Sequence, residues 1–283
     1  MSAFVISPSF LLTGLAGGLA IGLTGMGGGA VLTPVLLALG VPASTAIGSD
    51  LLASLFIKPV AGAVHSSAKT VRWDLVRWLS LGSVPTALLG SVLASRITRH
   101  GEGALKQAIG ATLLAAVAAM LVRAYRAYQA NRTDQTAAPG SPSSQSTTGE
   151  ASFSPTRNSA LLGGEARPLL TVALGALGGF LVGLTSVGSG SLMVVLLTLL
   201  YPKLSPKALV GTDIVQAVPL VAAAALGHVL TGSFRLGLTA ALLIGGIPGA
   251  LIGARLSSGR ATRAVKPVLM TLLLATGVKL VAG

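Results

Sequence analysis

The chain has 283 residues, 52% of them hydrophobic and 10% charged, with a mean hydropathy of +0.81. Soluble domains carry about 25% charged residues, so this composition excludes a water-soluble globular protein and points to lipid. Cysteine is absent, which removes disulfides, thiolate metal sites and thiol nucleophiles. The net charge of +13 reads as basic cytoplasmic loops rather than a nucleic-acid surface.

The opening MSAFVISPSF has no basic region before its apolar run and is expected to be mature sequence, not a cleaved signal. Next comes GGLAIGLTGMGGGAVLTPVLLAL, residues 17–39, in which a glycine cluster interrupts an apolar run. The pieces on either side, 9–22 and 30–39, are each too short to cross a core of roughly 30 Å at 1.5 Å per residue. Three segments of spanning length follow, 46–66, 75–96 and 104–125. The stretch 131–160 is rich in Ser, Thr, Pro and Gly and cannot bury a core. The pattern then repeats: GGFLVGLTSVGSGSLMVVLLTLL, residues 178–200, precedes spans at 208–230, 236–256 and 264–282.

The duplication holds register. Gly18, Gly22, Leu23, Thr24, Gly27 and Gly29 match Gly179, Gly183, Leu184, Thr185, Gly188 and Gly190 at an offset of 161. After two extra residues the offset is 163, and Ser49-Asp50 matches Thr212-Asp213, His65 matches His228, and Arg72 matches Arg235. Three units follow: a membrane repeat at 8–128, a flexible cytoplasmic linker at 129–166 and a second membrane repeat at 167–282.

The runs are continuous rather than alternating, which excludes a β-barrel and gives an all-α polytopic membrane protein. Basic residues choose its topology. Were each broken segment a full crossing, ten basic loop residues would lie on one side and nine on the other. With re-entrant segments, 14 lie on the linker side and 5 opposite, as the positive-inside rule favours. The expectation is two inverted repeats, each of three spanning helices plus a glycine-broken re-entrant segment, with both termini outside.

Paired broken segments in matching halves mark a transporter's binding site. Glycines free backbone amides, and the half-helix after the break points its positive end there, which suits a small oxyanion. The candidate substrate-binding residues are Thr24, Gly25, Met26, Gly27, Gly28 and Gly29, with Thr185, Ser186, Gly188, Ser189 and Gly190 in the second copy. Close packing of small residues is the competing explanation. Lys58, unmatched in the second copy (Val221), could offset substrate charge or snorkel to an interface, and Gln216 could add a polar contact. Asp50 and Asp213 are candidates for ion or proton coupling or for helix caps. His65 and His228 share a face with those aspartates and could relay protons or anchor helix ends. With no HExxH and no close carboxylate pair, an enzyme is not expected, nor any cofactor.

GLTGMGGGAVLTPVLLALGVPASTAIGSDL, its weaker second copy and the basic loop between the halves resemble the sulfite exporter TauE/SafE family of bacterial membrane proteins. The resemblance covers nearly the whole chain outside the linker. It implies transport, often export, of sulfite, thiosulfate or organosulfonates across the bacterial cytoplasmic (inner) membrane. It alone supplies the sulfur; the residues themselves point only to a small oxyanion. The expected mechanism is a proton-coupled secondary carrier whose halves rock about a fixed site. An anion channel, or a carrier for organic acids or other oxyanions, is the alternative.

Overall fold

The computed structural model describes residues 7–24, 29–65, 71–99, 101–136, 167–188, 190–202, 204–256 and 260–282. Every regular element among them is helical. The first repeat holds α1 (Pro8–Thr24), α2 (Gly29–Ala38), α3 (Ala43–His65), α4 (Trp73–Arg99) and α5 (Gly103–Thr136). The second holds α6 (Pro168–Thr185), α7 (Ser191–Leu200), α8 (Pro206–Leu230), α9 (Leu236–Leu256) and α10 (Arg260–Ala282).

Among the described residues, five helices are long and apolar enough to cross a bilayer: α4, α6, α9, residues Gly103–Val122 of α5 and Gly211–Leu230 of α8. Helix α3 has 23 residues, enough length to cross, and carries Asp50 and Lys58 within its apolar sequence. Large side chains such as Leu81, Leu89, Leu226, Leu236 and Ile244 are exposed on the outer faces, as lipid contact requires.

The helices pair across the repeats. Helix α1 packs most extensively on α9, and its counterpart α6 packs on α4. Glycines make both contacts close. A Cβ placed on Gly14, Gly18 or Gly22 would lie within 2.6 Å of the carbonyl oxygen of Leu242, Gly246 or Ala250 respectively. Gly175, Gly179 and Gly183 meet Leu79, Ser83 and Ala87 in the same way. Numbers rise together in both pairs, so the helices of each pair run in the same direction. Here the small residues serve packing, as expected where lipid offers no hydrophobic drive between helices. Gly179→Leu should therefore cost several degrees of melting temperature in detergent, because the obstacle is the Ser83 main chain.

Two further pairings extend this swap. Helix α8 follows α4 in the same direction: Gln216 bonds Ser83 at 2.8 Å, Gly227 lies against Ser91, and Ser95 bonds Thr231 at 2.7 Å. Helix α3 follows α9, with Gly48 on Ser233 and Ile57 on Gly246. Helices α3 and α8 pack together at the centre, and α5 packs on α10.

Each broken segment folds back on itself. The Arg167 amide at the start of α6 donates to Tyr201 Oη at 2.8 Å, just beyond the end of α7, and Thr171 Oγ1 shares a 2.6 Å hydrogen bond with the same oxygen. Halfway along, Gly178 lies against Met193. Gly17 and Leu32 make the matching contact between α1 and α2. Helix α6 and helix α7 are thus the antiparallel arms of a hairpin with the glycine break at its tip.

Candidate functional site

The two breaks touch. A Cβ on Gly29, the first residue of α2, would lie 1.9 Å from the Ser186 carbonyl oxygen in the break of the other repeat. No residue but glycine allows that approach without moving backbone. Gly25, Met26, Gly27, Gly28 and Ser189 lie outside the described residues, as does the side chain of Thr24.

After α6 the chain turns at Ser186, whose φ is 61°, then passes Gly188 (φ 108°) and Gly190 (φ 130°) into α7. Ser186 is the single non-glycine residue with positive φ among those described. The left-handed conformation costs a residue bearing Cβ roughly 1–2 kcal/mol. The gain that offsets it is visible: Ser186 Oγ donates to Asp50 Oδ2 at 2.7 Å. The hydroxyl of Thr185 is used locally, donating to the Leu181 carbonyl at 2.7 Å and accepting the Val187 amide at 3.2 Å. It caps the end of α6.

Asp50 is fully buried as the eighth residue of α3, and Asp213 is the eighth residue of α8. Neither caps its helix; Ser205 does so for α8, accepting from the Ala208 amide at 3.2 Å. Asp50 instead receives three hydroxyls, from Thr33 of α2 (2.9 Å), Ser54 of α3 (3.1 Å) and Ser186. The repeat positions matching Thr33, Ser54 and Ser186 hold Val194, Ala217 and Gly25. The second copy therefore lacks hydroxyls at those three matching positions. Lys58, buried in α3, interacts electrostatically with both Asp213 and Asp50. Asp50 thus has three hydroxyl partners as well as a share of the Lys58 charge.

The other candidates fall into place around this centre. Gln216 is buried and donates to Ser83 of α4. His228 is buried as well; its Nε2 donates to the Gly183 carbonyl at 3.1 Å, near the end of α6, and its Nδ1 lacks a hydrogen-bond partner. It braces the arm of the hairpin. His65 ends α3, and its side chain lies outside the described residues.

Sequence matching had paired Ser49 with Thr212 and Arg72 with Arg235, and the structure joins them crosswise. The Arg72 amide donates to Thr212 Oγ1, and the Arg235 amide to Ser49 Oγ, both at 3.1 Å. Each loop thus ends one residue from a buried aspartate of the other repeat. The guanidinium of Arg72 is paired with Asp74, whereas the position two after Arg235 is Gly237. Thr33 and Ser54 escaped the sequence reading because neither is repeated. The signal that could have found them is spacing: Ser54 lies one turn after Asp50 on the same helix face.

A polytopic helical bundle whose two glycine-broken hairpins meet beside buried, charged side chains defines a membrane transporter. The model of one family, Sulfite exporter TauE/SafE, matches residues 10–280, and the chain belongs to that family. It is 34% identical over 279 residues to the "Probable membrane transporter protein YjnA" of Bacillus subtilis (strain 168), covering 98% of this chain and 100% of that relative. No solved structure matches the chain.

Proposed function

We propose that this protein is a secondary carrier that exports small sulfur-containing oxyanions, sulfite, thiosulfate or organosulfonates, across the bacterial inner membrane. The observation that carries the reading is the contact of the two breaks at Gly29 and Ser186, with Lys58 close by. Amides at the N-terminal ends of α2 and α7 bind the substrate oxygens, and Lys58 supplies charge. The sulfur comes from the family's description.

The repeats are inverted in this reading. Seven residues join α3 to α4, a reach of about 25 Å, while α3 is about 35 Å long, which supports opposite directions for the two. Since α8 runs with α4, the matched helices α3 and α8 point oppositely. The closed arms of α6 and α7 support re-entry, and the charge count favours a cytoplasmic linker with both termini outside. A reporter fused to the C-terminus should therefore be periplasmic; cytoplasmic activity would overturn this topology.

Alternating access follows if two bodies move about the breaks. Packing draws those bodies as α1, α2, α3 and α9 against α6, α7, α8 and α4, rather than as the two halves of the sequence. Coupling runs through Asp50 and Asp213, with His228 and His65 beside the helix ends. In proteoliposomes, flux of sulfite or thiosulfate should saturate and fall at least tenfold in Lys58→Ala. Non-saturating flux indifferent to ion gradients would make the protein a channel. Transport of carboxylates alone would remove the sulfur assignment.

A further inference from the structure

The buried charge does not balance. Among the described residues, Asp50, Asp213 and Lys58 are the buried side chains that carry formal charge, two negative against one positive. His228 is held by a carbonyl through its ring N–H and adds none in that neutral form. A net negative charge deep in a bilayer is costly, and it repels the anion that the carrier reading requires. One added positive charge at Asp50 closes the count. Lys58 alone does not supply it, because its single charge interacts with Asp213 as well as Asp50.

Geometry says what kind of charge fits. Around Asp50 stand the hydroxyl oxygens of Thr33, Ser54 and Ser186, at 2.7–3.1 Å from the carboxylate oxygens. Each hydroxyl retains lone pairs and can rotate its hydrogen away. Ser186 also lies at the C-terminal end of α6, where the helix dipole is negative, and its own carbonyl projects toward Gly29. Carboxylate, neutral hydroxyls and an unwound helix end are the oxygen donors that hold sodium in transporters with broken helices. Divalent ions would overshoot the charge. The donors come from α2, α3 and the opposite break, so one ion would tie both repeats together.

We propose that Asp50, Thr33, Ser54 and Ser186 form a sodium site bridging the two halves, occupied before the anion binds. Its coupling role rests on the carrier reading; its existence does not. The purified protein, with no anion substrate, is titrated with NaCl at constant ionic strength against KCl and choline chloride. Sodium should raise the melting temperature by about 4 °C at saturation, with potassium and choline inert. Asp50→Asn should abolish the response. Ser186→Gly, which restores the residue of the first copy and suits the left-handed turn, should weaken apparent affinity at least tenfold. Scintillation-proximity binding of radioactive sodium reads the same site without unfolding. Equal stabilisation by choline, or a sodium response intact in both variants, would overturn the proposal. So would stabilisation by acid with no response to sodium, which would make the bound charge a proton. Sodium binding without sulfur-anion flux would leave this site standing and remove the substrate assignment.

Discussion

Gly29→Ala should reduce transport to background and lower the melting temperature by several degrees. The added methyl would sit 1.9 Å from the Ser186 carbonyl oxygen and 2.6 Å from Ser186 Oγ. Both belong to a turn fixed by positive φ angles at Ser186, Gly188 and Gly190, so the neighbour cannot give by rotating a side chain. The break must move, and Ser186 then leaves Asp50. Gly237→Ala is the control: nothing lies within 4 Å of its Cβ position, and it should melt and transport as the parent does. Measuring both by fluorescence-detected melting and proteoliposome flux separates a general cost of losing glycine from the cost at this crossing. A Gly29→Ala protein with parental flux would show that the breaks need not touch.

Lys58→Met should be among the most destabilising single changes, and Asp213→Asn should rescue it in the double variant. Removing one partner of a buried charge pair leaves the other uncompensated, typically costing about 3–5 kcal/mol, whereas neutralising both is often nearly neutral. With Lys58 gone, Asp213 loses a cation it interacts with, and the positions matching the three hydroxyls of Asp50 hold Val194, Ala217 and Gly25. Asp50 keeps Thr33, Ser54 and Ser186, so Lys58→Met with Asp50→Asn should recover much less. A double-mutant cycle on melting temperature distinguishes the two pairs. Equal rescue by both aspartate changes would mean that Lys58 serves them alike.

The helices and the duplication were legible in sequence because lipid imposes long apolar runs and the offset between copies is nearly constant. The glycine clusters were legible as a break, yet glycine alone does not say whether a helix packs or binds there. Glycines of one broken segment do different things: Gly14, Gly18 and Gly22 of α1 pack on α9, while Gly29, at the start of α2, admits the opposite break. Asp50 was recognisable by its rarity and its repeat partner. Its hydroxyl cage was not, since Thr33 and Ser54 look like ordinary small polar residues and Ser186 acts from 136 residues away. Nor did matching copies reveal that each α1-type helix belongs to the other repeat. Register within a chain carries no record of which surfaces meet in space.

That crossed pairing has a consequence for biogenesis. Helices leave the ribosome in order, and when α5 enters the bilayer neither α1 nor α4 has its glycine-faced partner. Those partners, α9 and α6, are made only after the linker has been translated. The first repeat must therefore wait in the membrane with close-packing surfaces turned to lipid. Expressed alone, it should be inserted but poorly packed and readily degraded, and coexpression with the second repeat should restore it.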